Sequence, residues 1–448
     1  MVTAQGPVPP MDGHALPLFL LQIGLLLLVA TLLGRLAVRL SLPPIVGELL
    51  TGVVLGPSVL APVLPAVHAR LFPAAPEQFH LLDAFGQFGV VLLVGVTGLQ
   101  IDARMARRRK ATVARVSLPG FFVPLLLGVG AGMLVPGSLL VEGVERTVFA
   151  VFLGIAMCMT AITVLAKTLM DMGLMHRNVG QLILVSGAVD DVLGWVALSA
   201  VATMVTSGLQ WAALAGTVVL VLVFVAGAAL IGSPLVRKVM TGTVERADPG
   251  VTLGTAVVIV LVFSVTAHML GMEAVFGALI AGILIRTSGK DVLTRLAPLR
   301  TFVVAVLAPV FFAAAGLRMD LTALADPEVL LTALVLLLVA TVGKFAGAFV
   351  GAWTSGLGRW EAVALGAGMN ARGVVEVVLA LVGLRLGVLS TEMYTVIVLI
   401  AVATSLMCPP LLRRAVRRIE VTSEEQLRHA EFEATWNSTN ELSPAEKA

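Results

Sequence analysis

Two carboxylates, Asp190 and Asp191, occupy adjacent positions in an otherwise apolar stretch, Val179-Gly-Gln-Leu-Ile-Leu-Val-Ser-Gly-Ala-Val-Asp-Asp-Val-Leu-Gly-Trp-Val-Ala-Leu. At about 1.5 Å per helical residue they lie roughly 18 Å beyond Val179, near the middle of a hydrocarbon layer about 30 Å thick. One ionised carboxylate at that depth costs on the order of 3 kcal/mol on insertion scales. A structural ion pair or helix contact would need only one acid, so the doublet points to a path for ions or protons. A carboxylate in such a place can hold a proton or a cation, but not comfortably both. The two side chains stand about 100° apart around their helix and face different neighbours.

Other charged residues sit in apolar surroundings. Lys344 lies well inside Leu338-Val-Ala-Thr-Val-Gly-Lys-Phe-Ala-Gly-Ala-Phe-Val-Gly351, flanked by Gly343, Gly347 and Gly351, small residues that let another helix approach closely. Its depth argues against snorkelling to an interface. The sharper reading is a salt bridge to Asp190 that breaks when substrate binds. Arg372 and Glu376 are i, i+4 neighbours. Either they satisfy each other, or Arg372 supplies fixed positive charge where helical order is interrupted; the residues leave both readings open. Glu48 reads as structural and Arg318 as interfacial. His14, His68, His80, His176, His268 and His429 fall at segment ends or between segments, so no metal cluster and no cofactor is expected.

The elements that must position these groups are membrane helices. The chain is 58% apolar and 13% charged, with a mean hydropathy of +1.01. That excludes a soluble protein of this length. Runs of about 20 apolar residues exclude a β-barrel, whose strands alternate over shorter segments. The net charge of +3 gives no reason to expect nucleic acid as a partner. Cys158 and Cys408 both lie in apolar segments and suggest neither a disulfide nor a metal.

Thirteen hydrophobic segments are expected, at roughly 16–38, 44–61, 82–100, 114–136, 147–168, 178–206, 211–233, 249–269, 271–287, 302–320, 329–353, 360–386 and 391–412. Basic residues follow odd-numbered segments: Arg104, Arg107, Arg108, Arg109 and Lys110; Arg237, Lys238 and Arg246; Arg286, Lys290, Arg295 and Arg300; Arg413, Arg414, Arg417 and Arg418. The positive-inside rule then puts the N-terminus outside and the C-terminus in the cytoplasm. Residues 1–14 read as an extracytoplasmic tail, 15–413 as the membrane domain, and 414–448 as a short charged cytoplasmic tail, too short for a nucleotide-binding regulatory domain.

The chain repeats itself. Gly98-Leu-Gln-Ile-Asp102 echoes Gly316-Leu-Arg-Met-Asp320, and Val46-Gly-Glu-Leu-Leu-Thr-Gly52 echoes Phe276-Gly-Ala-Leu-Ile-Ala-Gly282. Both echoes pair a segment with the one seven places on. Seven is odd, so the copies cross in opposite senses: an inverted-topology repeat of segments 1–6 and 8–13 with segment 7 as linker. Segment five then pairs with segment twelve. Both carry polar interruptions, Met159-Thr-Ala-Ile-Thr163 and Met369-Asn-Ala-Arg-Gly373. These predict two discontinuous helices crossing near the midplane, with Ala161, Asn370 and Gly373 in the breaks and helix ends turned to an ion site.

These stretches resemble the cation:proton antiporter superfamily, in its Kef-type sodium/hydrogen exchanger branch. The matching segments are Pro43–Pro57, Val91–Asp102, Ala188–Val192, Phe311–Arg318 and Gly368–Glu376, in the family's order along the whole membrane domain. The resemblance implies a thirteen-helix homodimer, with dimer-side segments at about 15–102 and 249–320 and a mobile core at about 114–206 and 329–413. It implies that Asp191 is the shared cation and proton site, that Asp190 pairs with Lys344, and that Thr160 and Thr163 help ligate the cation. Paired aspartates with the lysine resemble the electrogenic type. Gln100 stands where the family often has Glu, and the nucleotide-binding domain of many relatives is absent.

The expected function is therefore not enzymatic. An intramembrane protease would draw its two aspartates from different helices. The chain reads as a secondary active antiporter of a prokaryotic inner membrane, exchanging protons for sodium in preference to potassium. The alternative is a potassium efflux transporter or channel-like pathway without proton coupling, which inverted repeats with interrupted helices favour less, because they suit rocking rather than a fixed pore. Cation selectivity rests on cavity size and dehydration, which the sequence does not supply.

Overall fold

The computed structural model describes residues 15–99 (except 41, 43, 74 and 75), 110–161, 165, 168–169, 172–174, 177–207, 211–245, 249–272, 274–423 and 425–426. Among these residues every regular element is helical. Among the described residues, nine helices are long and apolar enough to cross a membrane, including Ala15–Arg39, Lys110–Leu134, Pro327–Thr354 and Thr391–Val416. Leu20, Leu28, Leu126, Leu222 and Leu338 are each more than half exposed. Apolar faces of that extent need lipid to cover them, and the protein is a multi-pass membrane protein. The short apolar helices Arg146–Cys158 and Ala274–Arg286 fall below span length, as do Arg359–Met369 and Val374–Arg385, two pieces of one expected segment.

The chain forms two compact units, Met1–Leu93 with Leu296–Ala323, and Val94–Arg295 with Leu324–Ala448. In the first, Ala15–Arg39, Pro44–Leu55 and Ala308–Gly316 pack together, with Leu26, Ala30, Leu82, Val310 and Ala313 buried among them. The close approaches run through glycine. A Cβ at Gly47 would strike the Leu33 carbonyl, and one at Gly52 would strike the Ala313 carbonyl and Gly316. Arg318 pairs with Asp83 at 2.9 Å, half-buried.

The second unit repeats that pattern. A Cβ at Gly277 would strike the Phe263 carbonyl, and one at Gly282 would strike the Gly95 carbonyl and Gly98. One sequence echo aligns Gly47 with Gly277 and Gly52 with Gly282, and the other aligns their neighbours Gly316 and Gly98. Each copy of the repeat thus places the same two glycines against the same two kinds of neighbour, which is the packing signature of a structural repeat.

The rest of the second unit holds the site. Pro327–Thr354 lies along Lys110–Leu134 through the glycine stripe expected to admit a helix. A Cβ at Gly347 would meet the Pro119 carbonyl, and one at Gly351 the Arg115 carbonyl and Val116. On the same helix as Pro119, Gly128 and Gly132 receive the half-helix Arg146–Cys158 at Gly154 and Ala150. Asp326 opens Pro327–Thr354 as an N-cap, accepting from the Glu328 amide at 2.8 Å, with Pro327 at the first position.

Candidate ion site

Two helices stop short inside the second unit. Arg146–Cys158 ends at Met159, whose backbone is extended (φ −72°, ψ 154°). Arg359–Met369 ends at Asn370, and the chain re-enters helix at Val374. No proline lies at either break, and Gly373 at φ 167° is ordinary extended backbone. Tertiary partners hold the breaks open. The Ala161 amide donates to the Ala371 carbonyl at 2.9 Å, joining one break to the other. Thr160 donates its hydroxyl to the Met369 carbonyl (3.1 Å) or to Asp190 Oδ2 (3.2 Å), and with one hydrogen serves one at a time. The two interruptions therefore meet, as the repeat requires.

A helix C-terminus leaves its last four carbonyls without intrahelical partners and carries partial negative charge. For Arg146–Cys158 all four are accounted for, and two cations do most of it. Arg372 donates through Nη1 to the Ala156 carbonyl at 2.9 Å and through Nη2 to the Met157 carbonyl at 2.5 Å. Lys344 Nζ donates to the Cys158 carbonyl. The Cys158 thiol turns back to the Ile155 carbonyl at 3.2 Å.

The same two cations hold the two carboxylates. Lys344 Nζ lies 2.5 Å from Asp190 Oδ2, and both side chains are wholly buried. Arg372 Nη1 lies 2.8 Å from Glu376 Oε1, and Nη2 also reaches the Ala340 carbonyl at 3.2 Å. Arg372 thus contacts Glu376 and the carbonyls of the interrupted helix at the same time, so the two readings of this residue are not exclusive in geometry. Snorkelling of Lys344 is ruled out, because its ammonium is bonded inside the protein. Ser405 donates to the Arg372 carbonyl, tying the last long helix to the second break.

Some polar atoms have no hydrogen-bond partner among the described residues: Asp190 Oδ1, Glu376 Oε2, and both amide atoms of Asn370, which is 1% exposed. Buried polar groups are costly unless a partner, water or ion meets them. Their concentration at the crossing marks it as the polar interior of the unit.

Asp190 lies in Asn178–Ser207, a helix of 30 residues. Asp191 is the next residue of that helix; its side chain lies outside the described residues, as do Thr163 and Gln100. The expected residues Asp190, Thr160, Lys344, Arg372, Glu376, Ala161, Asn370 and Gly373 gather in one place. Sequence reasoning missed the carbonyl ends of Arg146–Cys158 as the object of both cations. The signal was there: two basic residues, each with more donors than one carboxylate can satisfy, and helix breaks in the same apolar surroundings.

Comparison with known proteins agrees with this architecture. The family described as "Sodium/hydrogen exchanger, transmembrane" matches residues 24–417. The chain is 31% identical over 404 residues to the Na(+)/H(+) antiporter NhaS4 of Synechocystis sp., covering 90% of this chain and 98% of that protein. It is 30% identical over 398 residues to the Na(+)/H(+)-K(+) antiporter GerN of Bacillus cereus, covering 88% of this chain and 95% of that protein. The fold is similar to that of the sodium proton antiporter MjNhaP1 from Methanocaldococcus jannaschii, with a TM-score of 0.66 at 18% identity, over 90% of this chain and 97% of that one. With a match from the first long helix to the last and two crossed helix breaks around a buried carboxylate, the chain belongs to the sodium/hydrogen exchanger family.

Proposed function

We propose that this protein is a secondary active antiporter that exchanges protons for a monovalent cation by alternating access. The observation that carries the reading is the wholly buried Lys344–Asp190 pair at the junction of two broken helices. A stable protein does not need that pair. Replacing a buried ion pair with apolar residues is often neutral or stabilising, so its retention calls for a use.

In the cycle, Asp191 is the shared site, exchanging a proton for a cation on whichever side it faces. Thr160 and Thr163 help ligate the cation. A site neutralised by either ligand can cross the low-dielectric barrier, whereas a bare carboxylate pair meets a large desolvation cost. The empty carrier therefore stays put, and that asymmetry couples the two flows. Asp190 alternates between Lys344 and a proton, so net charge moves in each cycle and membrane voltage acts on it. The reading takes sodium before potassium as the cation; the sodium and potassium named for the relatives support a monovalent cation at this site. The Kef-type branch, the homodimer, the dimer-side and mobile-core division, and a cytoplasmic C-terminus in a prokaryotic inner membrane belong to the same proposal.

The test is cation-dependent proton movement in proteoliposomes, followed with a pH dye across sodium and potassium. Asp191→Asn abolishes the movement. Retained exchange in that variant would refute the assignment, and cation flux without counterflow of protons would make the protein a channel-like pathway instead.

A further inference from the structure

A cavity of about 320 Å³ opens beside the start of the half-helix Arg359–Met369 and the end of Thr391–Val416, lined by Trp360, Arg414, Arg417 and Arg418. Its volume lies at the lower end of the roughly 300–1,000 Å³ typical of small-ligand sites. The Arg418 guanidinium stacks 4.1 Å from the centre of the Trp360 ring. Arg359 approaches the same ring at 5.9 Å. None of the three lining arginines forms an ion pair among the described residues. Three like charges around one concavity repel each other, and an anion held between them would relieve that repulsion.

The residue types narrow the ligand. Guanidinium groups are planar forks whose donors match the paired oxygens of a phosphate, where a lysine offers only a point charge. Stacking on Trp360 holds Arg418 in a fixed pose, so little side-chain freedom is lost when an anion arrives. An indole beside basic residues at a helix end also suits the headgroup level of a bilayer, and basic pockets between membrane helices are known receivers of anionic headgroups.

We propose that the Trp360–Arg414–Arg417–Arg418 cavity binds a phosphate-bearing anion, drawn either from an anionic phospholipid headgroup or from soluble phosphate. The site has its own walls and charges and does not depend on the transport reading. Both walls nevertheless run to the helix crossing. The half-helix that begins at Arg359 ends at Met369, whose carbonyl accepts from Thr160, and Ser405 of the other wall donates to the Arg372 carbonyl. Directly after Arg418, the carbonyls of Ile419 and Glu420 accept from Arg177 at 3.0 and 3.1 Å, just before the helix that carries Asp190.

The experiment uses the full chain, delipidated in a neutral detergent, with native mass spectrometry reading lipid occupancy. The probes are phosphatidylglycerol, phosphatidylcholine and inorganic diphosphate. Wild type binds phosphatidylglycerol at least 10-fold tighter than phosphatidylcholine. The variant Arg414→Gln/Arg417→Gln/Arg418→Gln loses at least 10-fold of that affinity. The corresponding triple Lys variant loses several-fold, because charge survives and the fork does not. Arg237→Gln/Lys238→Gln, at exposed basic residues of another helix, changes nothing. Displacement of phosphatidylglycerol by diphosphate identifies a site open to soluble phosphates; no displacement identifies the bilayer as the source. Either result supports the proposal. If the triple Gln variant is poorly folded by size exclusion, the single variants Arg417→Gln and Trp360→Leu take its place, each weakening binding several-fold. Equal binding of the two lipids by wild type, or equal phosphatidylglycerol binding by folded variants and wild type, overturns it.

Discussion

Lys344→Ala removes two interactions at once: the 2.5 Å ion pair with Asp190 and the bond that closes the last carbonyl of Arg146–Cys158. Removing one partner of a buried pair costs about 3–5 kcal/mol, because the remaining charge is stranded. Leaving the Cys158 carbonyl without a donor adds about 1–3 kcal/mol. Asp190→Asn/Lys344→Ala removes the stranded charge along with its cause, so the double variant unfolds at a higher temperature than Lys344→Ala alone. The functional consequence has its own scale. One elementary charge crossing the membrane is worth about 2.3 kcal/mol per 100 mV, which is roughly a 50-fold bias in an equilibrium. If Lys344 and Asp190 carry the net charge of the cycle, 100 mV biases wild-type exchange by about that factor. The bias falls towards unity in Lys344→Ala, with cation affinity changed less. The assay is sodium-driven proton exchange in proteoliposomes with and without an imposed potential. A Lys344→Ala protein that keeps wild-type voltage dependence would refute the role given to the pair.

Arg372→Ala strands Glu376 and three carbonyls, costing about 3–5 kcal/mol in thermal unfolding; Arg372→Lys recovers little of it, because a single ammonium cannot span the same acceptors. Gly351→Leu drives a side chain into the Arg115 backbone and destabilises by about 1–3 kcal/mol or abolishes folding, whereas Gly24→Ala, mid-helix with nothing within 4 Å of its Cβ, keeps or slightly raises the melting temperature. Glu425 tests the tail. Burial pushes its carboxyl up, but the amides of Thr422 and Asn178 and then Arg177 outweigh that and hold it below its ordinary value of 4.5. A depressed carboxyl stabilises above the unfolded value and loses that contribution as pH falls through the folded one. The contact with Arg177 at 3.2 Å therefore persists at neutral pH and is lost only as pH falls below 4.5. Glu425→Gln at pH 7 reproduces the acid effect, seen as faster amide exchange over Thr422–Gln426; no change would show that the ion pair does not hold the tail.

Much of this protein is written in its residue types. Carboxylates and a lysine in runs otherwise made of Leu, Val and Ala announce buried charge, because lipid penalises each one and something must repay its desolvation. The glycine echoes at Gly47 and Gly277, and at Gly52 and Gly282, announce the repeat, because only a residue without a Cβ lets two backbones touch. Polar interruptions at Thr160 and Asn370 mark where helices stop, since hydroxyl and amide side chains compete with the helical ladder. None of these inferences needs a partner residue, and each is a property of the local chain.

What the chain by itself left open are the pairings. The depth of Lys344 argues for a buried acidic partner and Asp190 is the candidate, but only the fold brings the two together across 154 positions and adds the Cys158 carbonyl as a second acceptor. The i, i+4 spacing offers Glu376 as a partner for Arg372, but nothing near Arg372 says that it also caps the carbonyls of Ala156 and Met157. Neither break contains a proline, so local sequence permits the interruptions without imposing them, and the bond from Ala161 to Ala371 fixes them in place. The cavity at Trp360 and the Arg177–Glu425 contact likewise draw on residues far apart in the chain. Burial of a charge can be read from hydropathy, a sum over neighbours in sequence. Its compensation depends on direction and distance between helices, and only the packed fold supplies those.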